Sequence, residues 1–279
     1  MLQDFFKIDE LFSEDELIIR DTVHNFTNTE IIPIIGNCFE NNEFPRHLVP
    51  KLAELGVLGI VTPSKYGGSD LSYSYYGIAM QELERGDSSI RSFCSVQNSL
   101  VMYPINEYGT DEQKHKWLPK LSSGEAIGCF GLTEADAGSS PNEMLTTAIE
   151  TDTGYLLNGS KMWITNGCIS DIAIIWAKLN DKVKGFILEK DTPGFSTREI
   201  KHKFSLRASN TSELILKNCE VKKENILNST GMRAPLSCLT RARYGIAWGV
   251  IGAAMGIYES TLDYTKNRKQ FQRPIAGFQ

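Results

Sequence analysis

The sequence lacks the short motifs that mark the most easily recognised catalytic sites. It contains no GxxxxGK[ST] phosphate loop, no GxGxxG turn after a strand, no HExxH and no GxSxG. Its histidines are isolated from one another, and none has the spacing of metal ligands: His24, His47, His115 and His202. Without these motifs, the sequence carries none of the common signatures of nucleotide-phosphate, zinc-protease or serine-hydrolase sites. We also predict no metal site.

The cysteines are too scattered to form a zinc site or a disulfide framework. There is no CxxC pair and no Cys/His cluster among the six residues, which are Cys38, Cys94, Cys129, Cys168, Cys219 and Cys238. Isolated cysteines of this kind are typical of reducing compartments. We therefore predict buried, reduced thiols.

Long apolar runs and basic segments are also missing. The longest uncharged apolar run, Tyr244–Tyr258, is shorter than the ~20 residues that a membrane-spanning helix needs. The first residues, MLQDFFKIDELF, include Asp4, Asp9 and Glu10, which argues against a secretory signal or an arginine-rich transit peptide. A net charge of −5 argues against a nucleic-acid surface. The sequence predicts a cytoplasmic protein without a membrane span or a nucleic-acid partner.

The first 120 residues show helical periodicity and helix-capping signals. Ser13-x-x-Glu16 and Thr110-x-x-Gln113 both fit the capping box, in which two side chains satisfy each other's backbone N–H groups. Asp87 fits the N-cap of a further helix. This part of the chain is predicted to be a helical domain.

Beyond Gly124 the residue pattern changes twice, first to one typical of strands and then back to one typical of helices. Short runs rich in β-branched and aromatic residues, separated by Gly, Asn and Asp, predict an antiparallel sheet pair or barrel. Helical texture then returns, and Tyr244–Phe271 is predicted to be one long helix whose regularly spaced glycines form a close packing face. We predict an α+β multidomain chain: a helical N-terminal domain (1–124), an antiparallel β-barrel-like middle domain (125–231) and the start of a C-terminal helical bundle (232–279).

The segment CFGLTEADAGSS, residues 129–140, combines a strand with a glycine turn. Gly138-Ser139-Ser140 offers backbone N–H groups and two hydroxyls, which can hold a phosphate or a pyrophosphate. An ordinary loop between two strands is the alternative. Glu134 and Asp136 are predicted to be solvated carboxylates, not proton carriers.

Two further segments suggest binding contacts. In NGSKMWITNG, Trp163 and Thr165 are alternate residues of a predicted strand and share one face, which suits a flat heteroaromatic ring. A core tryptophan beside a surface threonine is the alternative. In GDSSIRSFCS, Arg91 and Ser95 lie one helical turn apart and could clamp a carboxylate. A solvated helix arginine is the alternative there.

Taken together, these segments resemble a known family. CFGLTEADAGSS, MWITNG, KFSLRAS, RARYGIAWGVIGAAMG and RKQFQRPIAGFQ occur in the order seen in the acyl-CoA dehydrogenase flavoproteins. ELERGDSSIRSFCSVQNSLVMYPI and RARYGIAWG are similar to the glutaryl-CoA dehydrogenase branch. The resemblance covers nearly the whole chain. It departs from the family pattern at four positions, which are Ala135, Ser140, Asn267 and Gln272.

The resemblance implies a helical domain, a β-barrel-like domain and a helical bundle, assembled as a homotetramer around FAD. It implies cofactor contacts from one subunit at Phe130, Leu132, Thr133, Gly138, Ser139, Trp163, Ile164 and Thr165, and from a neighbouring subunit at Arg268 and Gln279. It implies acyl-CoA contacts at Ser139, Leu236, Thr240 and Arg243. It implies a pocket for the distal carboxylate of glutaryl-CoA at Glu84, Arg91, Ser92 and Ser95.

The implied reaction is α,β-dehydrogenation of glutaryl-CoA with loss of carbon dioxide to give crotonyl-CoA, a step of lysine and tryptophan degradation. Electrons would pass to electron-transfer flavoprotein. The family's catalytic glutamate would lie beyond Gln279, so no residue of this chain is assigned as the base. We therefore expect a fragment or a truncated product that is inactive alone, with the glycine-rich helix face left without a packing partner.

Two other interpretations stay open. One is a related enzyme, either an acyl-CoA oxidase or a short-chain acyl-CoA dehydrogenase. The other is a non-catalytic paralogue that serves as an interaction or CoA-binding module.

Overall fold

The computed structural model describes residues 6–279. The prediction that there is no secretory signal or transit peptide also used residues 1–5, Asp4 included, and these lie outside the described residues. The α-helices in the described range are Glu14–Phe26 (α1), Ile32–Asn41 (α2), Leu48–Glu54 (α3), Tyr73–Gly86 (α4), Ser88–Ser95 (α5), Tyr103–Tyr108 (α6), Asp111–Ser122 (α7) and Arg233–Asn267 (α8). The strands are Gly128–Gly131 (β1), Thr147–Glu150 (β2), Gly154–Thr165 (β3), Ile172–Leu179 (β4), Lys182–Glu189 (β5), Phe195–Glu199 (β6), Thr211–Lys222 (β7), Lys269–Gln270 (β8) and Arg273–Pro274 (β9). Helices, sheet and helix thus follow one another in the predicted order.

The helix starts form as their sequences indicate. Reciprocal bonds between Ser13 and Glu16, and between Thr110 and Gln113, close capping boxes at the starts of α1 and α7. Asp87 accepts two backbone N–H bonds at the start of α5. These three predictions are confirmed because capping depends on groups within one turn of helix, so the local sequence suffices to form them.

The middle of the chain forms a curled sheet of seven strands. Their order is β1-β4-β2-β3-β7-β6, with β5 on the other edge of β4. Most pairs are antiparallel, as predicted, but β1 and β2 both run parallel to β4. Since β5 pairs with β4 along its whole length, β1 and β2 share the opposite edge. The loop that joins β1 to β2 therefore leaves the sheet and returns to the same strand.

The long helix α8 packs its glycine face on α4. A Cβ atom added at Gly252 would lie 1.9 Å from the carbonyl oxygen of Gln81, and one at Gly256 would lie 2.4 Å from that of Arg85. The predicted close packing is thus confirmed, and the expectation that this face lacks a partner is wrong. The predicted helix bounds were also wrong, because α8 ends before Phe271, whose φ of 48° places it in the turn between β8 and β9.

The face of α8 that remains open is a different one. It exposes large apolar side chains, namely Ile246, Val250, Ile251, Ile257 and Tyr258. Among residues 6–279, no helix is both long and apolar enough to cross a membrane.

All six cysteines are free, and four of them are buried: Cys94, Cys129, Cys219 and Cys238. Cys38 is partly buried and Cys168 is exposed, so the prediction of a buried thiol is wrong for Cys168. Burial raises the pKa of the Cys129 thiol to about 12. That thiol is therefore a packing group, not a nucleophile.

Asn98 connects two separate parts of the helical domain. Its Oδ1 accepts hydrogen bonds from the backbone N–H groups of Gly59 and Ile60, at 2.9 and 3.0 Å. Its Nδ2 donates to the carbonyl oxygens of Val57 and Cys94, both at 2.8 Å. The side chain is 2% exposed, so water cannot replace these bonds.

We expect Asn98→Ala to lower the free energy of unfolding by about 3 kcal/mol or more, because buried backbone groups lose their partner. Asn158→Ala is the matched control. Its amide also bonds a backbone N–H group, that of Asn218, but near the surface, so about 0.5–1 kcal/mol is expected. Urea titration of both variants measures the difference; equal losses would show that the Asn98 bonds are not structurally important.

Candidate functional site

The β1–β2 loop, residues 132–146, carries the glycine turn that the sequence singled out. Reciprocal backbone bonds between Glu134 and Ala137, at 3.2 and 3.3 Å, shape the turn. Gly138 has no atom within 4 Å of the place that a Cβ would take, and Ser139 and Ser140 are exposed. An uncrowded backbone beside two exposed hydroxyls can receive an anion such as a pyrophosphate.

The other predicted cofactor contacts on this segment lie deeper. Phe130 and Leu132 are buried, and the Phe130 ring centroid lies 6.0 Å from that of Trp176. Thr133 is half-buried, and its carbonyl oxygen accepts the backbone N–H of Met162 at 2.9 Å. The loop surface is thus formed by the glycine turn, while Phe130 and Leu132 support it from the core.

Trp163 stands on a β-bulge. The register between β3 and β7 slips between Lys161 and Ile164, and Trp163 has a φ of 63°, which is rare for a bulky side chain. Bulges re-aim side chains. Here the indole is 60% exposed, while neighbouring Ile164 is buried. An exposed indole suits stacking against a flat ring.

A cavity of about 380 Å³ opens beside this indole and is called the Trp163 cavity below. Its lining residues are Ser92, Trp163, Thr165, Lys203, Phe204, Ser205, Leu206, Ser209 and Thr211. Trp163 and Thr165 therefore do share one face, as predicted. The fold also brings Ser92, from α5, to the same cavity. None of the lining residues is a carboxylate.

The KFSLRAS segment, residues 203–209, forms the far side of this cavity, and the sequence had assigned it no role. The Phe204 side chain is fully exposed there. Arg207 anchors the segment by donating to the carbonyl oxygens of Phe39 and Glu40, at 3.1 and 3.0 Å. Lys203 donates to the Ser209 carbonyl at 2.9 Å, and burial lowers the pKa of this lysine. The sequence signal that could have identified this segment as part of the site was the presence of KFSLRAS among the family motifs.

Arg91 is buried and is not the solvated arginine of the alternative interpretation. Its guanidinium donates through two nitrogens to the Glu84 carboxylate, the Nη2–Oε1 distance being 3.1 Å. Arg91 is 8% exposed and Glu84 is 6% exposed. α8 covers the pair at Gly249, where a Cβ would collide with the Glu84 carboxylate. The two bonds to Glu84 hold the guanidinium in one orientation.

Ser95 lies on the same helix but has other partners. Its hydroxyl accepts a hydrogen bond from the Tyr76 hydroxyl at 3.1 Å, and Tyr76 also contacts the Ser99 hydroxyl at 2.9 Å. Burial raises the pKa of Tyr76, so the phenol stays neutral. The structure thus brings Arg91 and Glu84 together and places Ser95 in a neighbouring hydroxyl network.

The predicted contacts on α8 and at the end of the chain are exposed. Leu236, Thr240 and Arg243 follow one another at helical spacing on one outer face of α8. Arg268 and Gln279 lie after the helix and are also exposed. None of these five residues lines the Trp163 cavity.

The carboxylates of the β1–β2 loop differ from each other. Asp136 is exposed, but Glu134 is 7% exposed and bonded to Lys161, so the prediction of a solvated Glu134 is wrong. Across residues 6–279, no three His, Cys, Asp or Glu side chains are grouped to hold a metal ion.

Comparison with known proteins identifies the family. Three family models match in order: acyl-CoA dehydrogenase, N-terminal domain (residues 13–125), middle domain (129–219) and C-terminal domain (229–279). An acyl-CoA dehydrogenase of Bacillus subtilis is 38% identical over 96% of this chain and 72% of its own length. The mitochondrial isovaleryl-CoA dehydrogenase of Arabidopsis thaliana is 36% identical over 96% of this chain and 68% of its own length.

Among solved structures, a glutaryl-CoA dehydrogenase from Mycobacterium smegmatis in complex with FADH2 is 46% identical, with a TM-score of 0.95. The match covers 98% of this chain and 71% of that one. The sequence and the backbone of this chain therefore match those of these proteins along nearly its whole length, from the first helical domain through the curled sheet to α8. The chain belongs to the acyl-CoA dehydrogenase family.

Proposed function

We propose that this protein is an FAD-dependent acyl-CoA dehydrogenase that acts on a dicarboxylic acyl-CoA, with glutaryl-CoA as the preferred substrate. The observation that carries this proposal is the buried guanidinium of Arg91, on the helix that also presents Ser92 to the Trp163 cavity. Likeness to a glutaryl-CoA dehydrogenase at 46% identity supports it. The products would be crotonyl-CoA and carbon dioxide, and electron-transfer flavoprotein would receive the electrons.

The residues around the β1–β2 loop fit FAD. Gly138 leaves room for a close approach to the backbone, and Ser139 and Ser140 offer hydroxyls to the pyrophosphate. The exposed indole of Trp163 and the half-buried Thr165 offer an apolar face and a hydroxyl donor to the ring system. When bound, FAD would supply the acceptor for hydride from the substrate.

Arg91 would select the substrate by its far end. Glu84 occupies Nε and Nη2 of the guanidinium, whereas Nη1 has no hydrogen bond within residues 6–279. Glu84 thus fixes the plane of the guanidinium and leaves one nitrogen for the distal carboxylate. In a water-poor site such a charge-assisted bond is strong, and a monocarboxylic substrate cannot form it.

Contacts beyond one subunit complete the proposal. The apolar outer face of α8, with Ile246, Val250 and Ile257, suits burial in a homotetramer. Arg268 and Gln279 would reach FAD in a neighbouring subunit. Leu236, Thr240 and Arg243 would lie along the CoA moiety.

Within residues 6–279, no carboxylate lines the Trp163 cavity, so the proposal assigns none of these residues as the base that removes the α-proton. Residues 1–279 expressed alone are therefore expected to give no turnover. Flavin bleaching by glutaryl-CoA in that preparation would show that a base exists within it.

A substrate panel tests the proposed function. The intact protein is reconstituted with FAD and mixed without oxygen with glutaryl-CoA, butyryl-CoA or isovaleryl-CoA, and the flavin absorbance is followed. We expect glutaryl-CoA to bleach the flavin with at least a tenfold higher kcat/KM, about what one buried charge-assisted bond contributes. Preference for butyryl- or isovaleryl-CoA would favour a monocarboxylic enzyme, and failure to bind FAD would favour the non-catalytic module.

A further inference from the structure

Two buried charges beside the proposed cofactor site have no part in the chemistry described so far. Lys161 on β3 is 0% exposed, and its Nζ lies 2.8 Å from Oε1 of Glu134 in the β1–β2 loop. A lysine is almost never fully buried unless it is paired. Removing such a pair and filling the space with apolar side chains is often neutral or stabilising, so stability alone is a weak reason for its presence.

The pair ties both ends of the β1–β2 loop to one strand. At the start of the loop, Lys161 Nζ also donates to the carbonyl oxygen of Leu132 at 3.2 Å. At its end, the Glu134 carboxylate accepts the backbone N–H groups of Leu145 and Thr146, at 2.6 and 3.0 Å. The glycine turn lies between these anchors, and a Cβ added at Gly138 would have no atom within 4 Å.

The same stretch of β3 also sets the position of the indole. Lys161 is the last paired residue before the bulge, and Trp163 follows two positions later. Between them, the backbone N–H of Met162 donates to the carbonyl of Thr133, the neighbour of Glu134. A movement of Glu134 relative to Lys161 would therefore shift the glycine turn relative to the indole.

We propose that the Lys161–Glu134 pair is the positioning element of the cofactor site, holding the β1–β2 loop and the Trp163 bulge in the arrangement that FAD requires, an inference that rests on the FAD binding proposed above. Neither residue needs to touch the cofactor. They act through the turn and the indole that would contact it.

The charges of the pair give this role a pH signature. Burial lowers the pKa of Lys161 to about 8, because desolvation outweighs the hydrogen bond and the charge of Glu134. Burial alone would raise the pKa of Glu134, but bonds from Lys161, Thr146 and the Leu145 N–H group outweigh it and hold that pKa below its ordinary value.

The other groups around Lys161 are uncharged. They are the Leu132 carbonyl and the Met144 thioether at the ammonium, and the apolar side chains of Ile175 (β4) and Leu214 (β7), which lie next to Gly131 together with the Lys161 stem. Above pH 8 the ammonium becomes an amine, and its hold on the Glu134 carboxylate weakens. FAD affinity is therefore expected to fall as the pH rises from 7 to 9.5.

Loss of global stability would not produce this fall. Because the folded-state pKa of Lys161 lies below its unfolded value of 10.5, the unfolded chain binds the proton more tightly between about pH 8 and 10.5. In that window the titration of Lys161 raises the free energy of unfolding as the pH rises. Cofactor affinity and the stability contributed by this group should therefore change in opposite directions.

The experiment measures FAD affinity of the intact apoprotein by quenching of flavin fluorescence, with the melting temperature of each apoprotein recorded alongside. We expect Lys161→Met and Glu134→Gln each to weaken FAD binding by about 10- to 100-fold at pH 7, the loss that corresponds to one charge-assisted hydrogen bond. Glu134→Gln keeps an oxygen for Thr146 and serves if Lys161→Met does not fold. Lys161→Arg, which keeps the charge, should recover part of the affinity.

Glu82→Gln is the matched control. Glu82 is also a buried glutamate paired with a buried cation, Arg85, but it lies on α4 and outside the cofactor site. This variant should lower the melting temperature while FAD affinity stays within about twofold. If it weakens FAD binding as much as Glu134→Gln does at equal loss of melting temperature, the positioning role is refuted.

Two further outcomes separate the possible failures. If the wild-type protein and Lys161→Met bind FAD with the same affinity, and the wild-type affinity does not fall between pH 7 and 9.5, the positioning role alone is overturned. Wild-type protein that does not bind FAD at all would overturn the proposed function and, with it, the positioning role.

Discussion

Gly252→Ala is expected to lower the free energy of unfolding by about 3 kcal/mol, a large fraction of the stability of a typical domain. The added methyl group would lie 1.9 Å from the carbonyl oxygen of Gln81, in the backbone of α4. Because this is main chain within a helix, it cannot rotate away as a side chain could. α8 must therefore move away from α4, and the contacts at Gly245, Gly249 and Gly256 weaken together.

Gly36→Ala is the matched control, since it makes the same substitution inside another helix, α2. No atom lies within 4 Å of the place that its Cβ would take. Alanine is the better helix former, so this variant should be more stable by about 0.5–1 kcal/mol. Urea titration of both variants decides the matter. A Gly252→Ala protein as stable as wild type would show that the α4–α8 packing is looser than the structure indicates.

Arg91→Met is expected to weaken the binding of the glutaryl-CoA transition state by about 2–5 kcal/mol, which lowers kcat/KM for this substrate. The kcat/KM for butyryl-CoA should stay nearly unchanged. The lost group is a guanidinium that is 8% exposed, so water cannot take its place beside the distal carboxylate. The measurement is the ratio of kcat/KM values for the two substrates in the intact, FAD-loaded protein.

The single substitution also leaves Glu84 buried without its cation, which costs about 3–5 kcal/mol of stability on its own. The double variant Glu84→Gln/Arg91→Met removes that charge and should recover much of the stability without recovering glutaryl-CoA turnover. Equal losses for both substrates in the double variant would contradict the carboxylate pocket and favour a monocarboxylic acyl-CoA.

Much of the local structure follows from short stretches of sequence. The two capping boxes and the Asp87 N-cap form as predicted because each needs only groups within one helical turn. The change from helices to strands near Gly124 is likewise predicted by the types of residue and their spacing. The glycine pattern of α8 also predicted a close packing face, although not the helix that fills it.

The candidate site was predictable in its parts and not in its arrangement. Trp163 and Thr165 were predicted to share a face, and they line one cavity. The bulge that turns the indole outward depends on the pairing of β3 with β7, which the local pattern does not contain. For the same reason Phe204, from a loop forty residues away in the sequence, was not placed beside Trp163.

By itself, the sequence determined the order of helical and strand segments, the capped helix starts and the motifs that identify the family. Only the tertiary structure decided which charges are buried and which partner each one has. Glu84 meets Arg91 across the break between α4 and α5, and Glu134 meets Lys161 across 27 residues of sequence. The physical reason is that burial and pairing are set by long-range packing, which removes water and brings distant strands together, whereas capping and periodicity need only neighbours along the chain.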